Sequence, residues 1–131
     1  MKLPEKVKDI FVNEAVHQLA TSSLDGIPNI SNVGAKYLLD DESIVVVDNY
    51  MDKTLSNILA NPRVAILVRT ERESYQIKGS STYLTEGPIY EEAKKWMGSV
   101  SKVFPAKGAL LIKIEEIFHS SSGQDAGKKL V

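Results

Sequence analysis

Two β-branched runs with a polar segment between them limit the folds open to this chain. Residues 43–49 read SIVVVDN and residues 63–69 read RVAILVR, and both compositions are typical of buried strands. A short helix, KTLSNILA, is predicted over 53–60, and Pro62 would end it. The region therefore predicts a strand, a polar turn, a helix and a strand. It also raises the question of why DNYMDKT (48–54) should follow a buried strand.

The rest of the chain reads mainly as strands with short helices between them. Residues 16–39 predict a β-hairpin, because Asp25-Gly26 is a strong tight-turn signal. The remaining helices are predicted at 4–15 and 88–98, and the remaining strands at 73–85 and 108–118. Five or six strands, mostly joined as hairpins, favour an antiparallel barrel over a doubly wound sheet. Neither a GxGxxG turn nor a P-loop motif occurs.

Composition excludes several classes of protein. A chain of 131 residues with 43% hydrophobic residues predicts one globular domain over 1–131. The net charge of −1 offers no broad basic field for nucleic acid. With no cysteine and only two histidines, His17 and His119, no metal site is expected. No apolar run approaches the ~20 residues that span a membrane, and the N-terminus lacks a signal-peptide pattern, so a cytoplasmic protein is expected.

The polar segment 48–54 could bind a phosphate group. Lys53 offers a positive charge, Thr54 offers a hydroxyl group, and the start of the predicted helix offers free backbone N–H groups. The same residues also fit an ordinary strand, loop and surface helix, in which Thr54 is the cap. The spacing of these residues leaves both interpretations open.

The return strand of the predicted hairpin carries unusually small and polar residues. The alternation of a strand gives it two faces, one with Asn29, Ser31 and Val33 and the other with Ile30, Asn32, Gly34 and Lys36. Gly34 and Ala35 leave room for a flat ligand to lie close to the backbone. An edge strand with one solvated face fits the same pattern equally well.

The next predicted strand and the two histidines give weaker signals. Gln76 and Lys78 alternate with apolar residues as in an ordinary amphipathic strand, and Gly79 predicts a bulge or a close approach. His17 and His119 are each expected to be a satisfied or exposed strand residue. Neighbouring glutamates point to opposite faces of a strand, so no acid–base pair is predicted.

Taken in chain order, these motifs resemble a known family. They are the hairpin DGIPNISNVGAK, the strand and turn VVVDNYMDKT, the helix ending in NP, and the strands RVAILV and YQIKG. In this order they resemble the pyridoxamine 5′-phosphate oxidase-related FMN-binding proteins, the split-barrel flavoproteins. The resemblance covers roughly residues 15–90 and is closest to short members with a tail like SSSGQDAGKKL. No single motif is diagnostic, whereas the ordered set is fairly specific.

The resemblance implies a mainly β protein with short helices, a six-stranded antiparallel split β-barrel. It implies a homodimer with FMN in a cleft between the subunits, where Lys53 and Thr54 hold the phosphate group. Lys36 corresponds to a lysine near the flavin ring, where a donor would stabilise the reduced anion, and Gln76 would reach the ring from a neighbouring strand. The other residues implied to line the cleft are Ser31, Asn32, Val33, Val47, Asp48 and Asn49.

The chain also departs from the true oxidases of that family. Ser31 replaces their phosphate-binding arginine, and Met51-Asp52-Lys53 replaces their Ser-Arg-Lys triplet. Their C-terminal segment with Trp, Arg and His is absent, since the chain ends in GQDAGKKLV, and this polar tail is expected on the surface. Oxidation of pyridoxamine phosphate is therefore not expected. Each charge-assisted hydrogen bond that is not replaced would weaken FMN binding by about 1.5–3 kcal/mol.

Four functions remain open from the sequence. The first is a small FMN-dependent oxidoreductase that exchanges electrons or hydride with an unknown small-molecule donor or acceptor, and the second is a non-catalytic flavin carrier. The third is the same fold with another cofactor. A deazaflavin would use Lys53, Lys78 and Arg69 for its phosphate tail, and haem would need His17 or His119 as an axial ligand. The fourth is a dimeric scaffold without a ligand. Membranes and nucleic acids are not expected as partners.

Overall fold

Three helices and seven strands form the protein in the computed structural model, which describes residues 1–130. In chain order these elements are α1 (Glu5–Asn13), β1 (His17–Ser22), β2 (Pro28–Val33), β3 (Lys36–Asp40), β4 (Ser43–Asp48), α2 (Lys53–Ala60), β5 (Arg63–Arg69), β6 (Ser74–Leu84), α3 (Pro88–Val100) and β7 (Gly108–His119).

All seven strands belong to one antiparallel sheet in the order β2-β1-β5-β6-β7-β4-β3. The prediction of a mainly β protein with short helices is confirmed. The predicted number of six strands is wrong, because the segment taken as one hairpin contains three strands. The first two strands of that segment pair with each other, and the third pairs with β4 instead.

A two-residue break separates β2 from β3. The pairing of β1 with β2 ends at His17 and Val33, and β3 begins at Lys36, opposite a residue of β4. Gly34 and Ala35 therefore carry the chain from one edge of the sheet to the other. The predicted alternation of faces through Lys36 ends at this break. The curled sheet consequently stays open between its two edge strands.

Strand β4 is buried on both faces, which explains its unbroken β-branched sequence. Ile44 and Val46 belong to the larger apolar cluster, which also holds the buried face of α1. Val45 and Val47 belong to a smaller cluster beneath α3. Strand β4 therefore joins the two parts of the core. Full burial of each such side chain stabilises the fold by about 1.5–3 kcal/mol.

Helix α2 has its predicted bounds, whereas α3 runs past its predicted end. The sequence predicts that α3 ends at Gly98, but the helix continues to Val100. Glycine within a helix costs only about 1 kcal/mol relative to alanine. The buried face of α3, with Ala93 and Met97, outweighs that cost and carries the helix through Gly98.

Gly79 forms the predicted bulge. The register between β6 and β7 shifts between Lys78 and Gly79. A Cβ atom on Gly79 would overlap the backbone carbonyl oxygen of Lys113 on β7. The prediction of a bulge with a close backbone approach is therefore confirmed.

The C-terminal tail folds back on β7. Lys129 pairs with Phe118 in an isolated bridge, and Leu130 packs against the larger apolar cluster. The tail is also tied to β6, because the backbone N–H of Ser74 donates to Ser121 Oγ at 2.8 Å. Most of the tail is exposed, as predicted. Within residues 1–130, the tail contributes nothing to the cavity described below.

Candidate functional site

A cavity of about 680 Å³ lies where the sheet is open. Its walls come from β2, the break at 34–35, β4, the turn 49–52, the start of α2 and the end of α3. Small-ligand sites in proteins typically measure ~300–1,000 Å³, so the cavity has the size of such a site. Its lining is polar on the side of α2 and apolar on the side of α3.

On the α2 side, short polar side chains form one hydrogen-bonded group. Asn29 Nδ2 donates to Thr54 Oγ1 at 3.0 Å and to Thr21 Oγ1 at 3.2 Å. The hydroxyl oxygens of Ser31 and Thr54 lie 3.3 Å apart. Thr21 and Thr54 are each only 5% exposed. This neutral network therefore joins β1, β2 and the start of α2.

Helix α2 begins at the cavity without a side-chain cap. Asp52 occupies the N-cap position, but its carboxylate makes no capping hydrogen bond. The first intrahelical bond runs from the N–H of Ser56 to the carbonyl of Asp52, so the N–H groups of Lys53, Thr54 and Leu55 have no partner within the helix. These groups give the helix start a partial positive charge. The exposed side chains of Lys53 and Asp52 add one charge of each sign.

A buried carboxylate holds the turn at the cavity mouth. Asp48 is fully buried, and it accepts hydrogen bonds from the N–H of Met51 at 2.9 Å and from the hydroxyl of Tyr83. Burial, together with the hydrogen bond to Asp48, raises the pKa of Tyr83, so this hydroxyl stays protonated and donating. The turn is joined to the loop between α3 and β7 as well, because Asn49 Oδ1 accepts the N–H of Ala106 at 3.0 Å.

The α3 side of the cavity is apolar and aromatic. Trp96, Met97, Val100 and Phe104 line it. Tyr50, from the turn, meets Phe104 edge to face, with 6.2 Å between the ring centroids. Aromatic walls of this kind pack well against flat rings.

Seven of the ten residues implied by the resemblance line this cavity. They are Ser31, Asn32, Val33, Val47, Asn49, Lys53 and Thr54. Asp48 is next to the cavity but lies beneath the turn, where both of its carboxylate oxygens bond to protein groups. Lys36 and Gln76 are not brought to the cavity.

Lys36 points to helix α1 instead. Its Nζ donates to the carbonyl oxygens of Phe11 at 2.9 Å and Glu14 at 2.8 Å, and it lies 4.8 Å from the centroid of the Phe11 ring. Burial lowers the pKa of Lys36, partly offset by the charge of Glu14. Lys36 does not reach the cavity because the break at Gly34 and Ala35 turns β3 away from the line of β2.

Gln76 lies on β6, opposite Leu67 of β5 and Phe118 of β7. Both neighbours are central strands of the sheet, whereas the cavity is lined by the edge strand β2 and by β4. Lys78, on the same strand, places its Nζ 5.5 Å from the centroid of the Phe118 ring. Neither side chain lines the cavity.

The two histidines also lie away from the cavity. His17 is fully buried and donates from Nε2 to the carbonyl of Phe11 at 3.1 Å, while its Nδ1 has no partner among residues 1–130. His119 packs against Tyr75 at 5.9 Å between ring centroids. The expectation of a satisfied histidine at position 17 therefore holds for one ring nitrogen only.

Several lining residues were not among the predicted site residues. Asn29 shares a strand face with Ser31, and that alternation was the available signal. The α3 residues Trp96 and Met97 read as an ordinary amphipathic helix, and nothing in their spacing indicates a cavity. Phe104 lies beyond the helix in a loop, where the sequence carries no recognisable signal.

A second cavity of about 620 Å³ lies between the end of α1 and the turn from β5 to β6. Glu14, Val16 and residues 69–73 line it, with charges of both signs. Within the described chain, no group of three or more metal-binding side chains occurs. No helix among residues 1–130 is long and apolar enough to cross a membrane.

The family model for pyridoxamine 5′-phosphate oxidase matches residues 3–121. The chain therefore belongs to the pyridoxamine 5′-phosphate oxidase family, and the resemblance drawn from the sequence motifs is confirmed.

Two proteins are similar to this chain in amino-acid sequence. An uncharacterised protein of Methanocaldococcus jannaschii is 40% identical over 131 residues, which cover 98% of this chain and 87% of that protein. A pyridoxine/pyridoxamine 5′-phosphate oxidase of Crocosphaera subtropica is 32% identical over 111 residues. That match covers 76% of this chain but only 51% of the oxidase, so the chain corresponds to about half of that enzyme.

Solved structures with the same fold have been given several names. HupZ of Group A Streptococcus superposes with a TM-score of 0.83 at 30% identity, over 95% of this chain and 99% of that chain. An FMN-binding protein of Syntrophomonas wolfei superposes with a TM-score of 0.79 at 21% identity, over 92% and 90%. A haem storage protein of Vibrio cholerae, HutZ, has a TM-score of 0.70 at 18% identity, over 92% and 97%. The last two likenesses concern the fold alone.

Proposed function

We propose that this chain binds FMN in the main cavity and uses it as a small oxidoreductase. The observation that carries the proposal is the two-sided lining. Hydroxyl and amide groups, one lysine and free helix N–H groups lie on one side, and aromatic and apolar residues lie on the other. FMN combines a phosphate, a polyhydroxyl chain and a flat ring, so the residues present fit it. The fold shared with an FMN-binding protein supports the same conclusion.

The phosphate group would lie at the start of α2. Lys53 offers a charge-assisted hydrogen bond, and the backbone N–H groups of the first turn, including that of Thr54, offer further donors. Asp52 opposes this attraction with a negative charge. No arginine lines the cavity among residues 1–130, so we expect weaker phosphate binding than at an arginine-lined site.

The flavin ring would pack against the α3 side. Trp96, Met97 and Val100 offer the apolar wall, and the backbone at Asn32 and Val33 faces the ring from β2. Because β2 is an edge strand, alternate backbone N–H and C=O groups are free to bond the ring edge. Bound FMN supplies hydride and electron transfer. The residues of the chain hold the ring in place and exclude water from one face.

The electron donor or acceptor would be a small molecule that contacts the flavin directly. The ionisable lining residues within 1–130 are Tyr50, Asp52 and Lys53, and none forms an acid–base pair. A non-catalytic flavin carrier would have the same site, and turnover with a reduced nicotinamide distinguishes the two functions. Oxidation of pyridoxamine phosphate is not proposed, because Ser31 and Asp52 stand where the oxidases carry arginine.

The geometry favours FMN over the other two cofactors. The three side chains suggested for the phosphate tail of a deazaflavin do not lie together. Lys53 lines the main cavity, whereas Arg69 lines the second cavity and Lys78 packs over Phe118. The two histidines considered as axial ligands of haem, His17 and His119, do not line the main cavity.

We also propose that a second copy of the chain completes the site. Five large apolar residues at or beside the cavity mouth are 42–80% exposed, namely Ile30, Tyr50, Val100, Val103 and Phe104. An apolar cluster of this kind on a protein surface is typical of an interface. A symmetric dimer would cover the cluster and close the cavity from the open side.

Visible absorption tests the proposed function. The purified protein is mixed with FMN, passed through gel filtration and scanned for flavin bands. Retention of about one FMN per subunit is the expected result. A protein that retains no flavin at any FMN concentration tried would overturn the proposal. Steady-state oxidation of NADH or NADPH by the loaded protein then separates an enzyme from a carrier.

A further inference from the structure

The amide nitrogen of Asn29 is fully used within the protein. An asparagine amide nitrogen carries two hydrogens. One bonds to Thr21 on β1 at 3.2 Å, and the other bonds to Thr54 at the start of α2 at 3.0 Å. The amide oxygen Oδ1 has no donor among residues 1–130, and Asn29 lines the cavity. This oxygen is therefore available to a ligand as an acceptor.

The neighbouring hydroxyl pair keeps one hydrogen for a ligand. Ser31 and Thr54 carry one hydroxyl hydrogen each, and their contact at 3.3 Å uses one of the two. The bond from Asn29 occupies a lone pair of Thr54 Oγ1 and thereby fixes that side chain. No acceptor among the described residues takes the second hydrogen. One donor and one acceptor thus lie side by side on the α2 wall.

A donor next to an acceptor matches an alcohol better than a phosphate. An alcohol both donates and accepts, whereas a phosphate dianion only accepts and would meet Asn29 Oδ1 as a second acceptor. The charges agree with this preference. Within residues 1–130 the charged lining residues are Asp52 and Lys53, which have opposite signs. The group around Asn29 is itself neutral.

We propose that Asn29 is a specificity-determining residue that binds a hydroxyl group of a polyhydroxyl ligand chain. Phosphate binding is left to Lys53 and the start of α2. This inference rests on the proposed function, since FMN joins its phosphate to its ring through such a chain. Asn29 is not among the site residues implied by the resemblance, and the proposal assigns to it the hydroxyl groups of the ligand chain.

Three flavins separate the parts of the ligand. FMN has the ring, the polyhydroxyl chain and the phosphate; riboflavin lacks the phosphate; lumiflavin lacks both the phosphate and the chain. Dissociation constants for all three are measured by flavin fluorescence with the wild-type protein and with Asn29→Ala. The substitution should raise the constants for FMN and riboflavin by about tenfold, as expected for one or two lost hydrogen bonds. The constant for lumiflavin should not change.

Asn57→Ala is the matched control. Asn57 Nδ2 donates to the same Thr21 hydroxyl at 3.0 Å, from α2, but Asn57 does not line the cavity. Its substitution removes a bond from the same network without removing a ligand contact. All three dissociation constants should stay at their wild-type values in this variant.

Each possible outcome decides between the two proposals. An equal loss of affinity for all three flavins in Asn29→Ala would give this residue a structural role only, and unchanged riboflavin binding would remove it from the site. Either result overturns the specificity proposal while flavin binding by the wild type stands. If the wild-type protein binds none of the three flavins, the proposed function fails and the role of Asn29 fails with it.

Discussion

Tyr83 donates its hydroxyl hydrogen to the buried carboxylate of Asp48, directly beneath the turn that lines the cavity. The two residues lie on different strands, β6 and β4, with β7 between them. The Tyr83 side chain crosses β7 at Gly108, where a Cβ atom would overlap the tyrosine ring. The absence of a side chain at Gly108 thus permits the bond that supports the turn.

Replacement of Tyr83 by phenylalanine should destabilise the protein. The Asp48 carboxylate would stay buried with one donor fewer, which should lower the free energy of unfolding by about 1–3 kcal/mol. Urea denaturation measures this change. Tyr37→Phe is the control, because the Tyr37 hydroxyl is buried without a partner among residues 1–130. Its loss should leave the stability unchanged or raise it, and similar effects of the two substitutions would contradict the assigned role of Tyr83.

Alanine should have opposite effects at two glycines. At Gly79 the new Cβ atom would overlap the carbonyl oxygen of Lys113, so β6 and β7 would have to shift. The free energy of unfolding should fall by about 1–3 kcal/mol or more, as at other overpacked sites. At Gly98, within α3, no atom lies within 4 Å of the new Cβ. There alanine should stabilise the helix by about 0.5–1 kcal/mol. Thermal denaturation compares the two variants, and a stable Gly79→Ala protein would contradict the bulge geometry.

His17 should make the protein sensitive to acid. Burial, followed by the nearby charge of Lys36, lowers the pKa of His17 in spite of the bond to Phe11. The unfolded chain, with an ordinary histidine pKa near 6.5, then binds more protons than the folded chain below that pH. The stability is present above about pH 6.5 and is lost as the pH falls toward the folded pKa, by up to about 1.4 kcal/mol per pH unit.

Unfolding free energies measured between pH 7.5 and 5 test this dependence. His17→Gln should show a shallower slope than the wild type, by up to one proton. A His17→Gln protein with the same pH dependence as the wild type would contradict the prediction.

Lys53→Ala should weaken FMN binding by about tenfold or more, through the loss of one charge-assisted hydrogen bond. Riboflavin, which has no phosphate, should be affected much less. Fluorescence titration at two salt concentrations measures both ligands, and the salt dependence of FMN binding should fall in the variant. Lys95→Ala is the control, because Lys95 is exposed on α3 and does not line the cavity. Equal FMN affinities in all three proteins would remove Lys53 from the site.

The protein should form a dimer through the cavity mouth. Val103 and Phe104 are 80% and 42% exposed, so Phe104→Asp would place a charge in the proposed interface. Light scattering should give the mass of two chains for the wild type and of one chain for the variant. Leu24→Asp, at the exposed tip of the β1–β2 hairpin, is the control and should stay dimeric. A wild-type monomer in the presence of FMN would contradict the interface.

The strand and helix pattern could be predicted where local signals were strong. The β-branched run of β4 and the bounds of α2 follow from composition and from Pro62. The split between β2 and β3 could not be predicted in the same way. The two strands are separated only by Gly34 and Ala35, and the residues on both sides have strand character. Which partner each strand takes depends on distant parts of the sheet, not on local propensity.

The candidate site was likewise predictable only where its residues belong to a local motif. Lys53 and Thr54 belong to a local motif at a helix start, and the structure brings them to the cavity. The direction of the Lys36 side chain depends on the end of α1, more than twenty residues earlier in the chain. The bond between Asp48 and Tyr83 likewise joins residues that are distant in sequence. Such long-range contacts leave no periodic signal that a reader of the sequence could use.

The break at Gly34 and Ala35 has a consequence for the way the molecule opens. The two edges of the sheet are adjacent in sequence, but no ladder of backbone hydrogen bonds joins β2 to β3. A ligand in the cavity would contact β2, at one edge of the sheet, and β4, which pairs with the strand at the other edge. Release of the ligand would then be coupled to separation of the two edges of the sheet. The backbone amide hydrogens of the edge strands should therefore exchange with solvent more slowly as the ligand concentration rises.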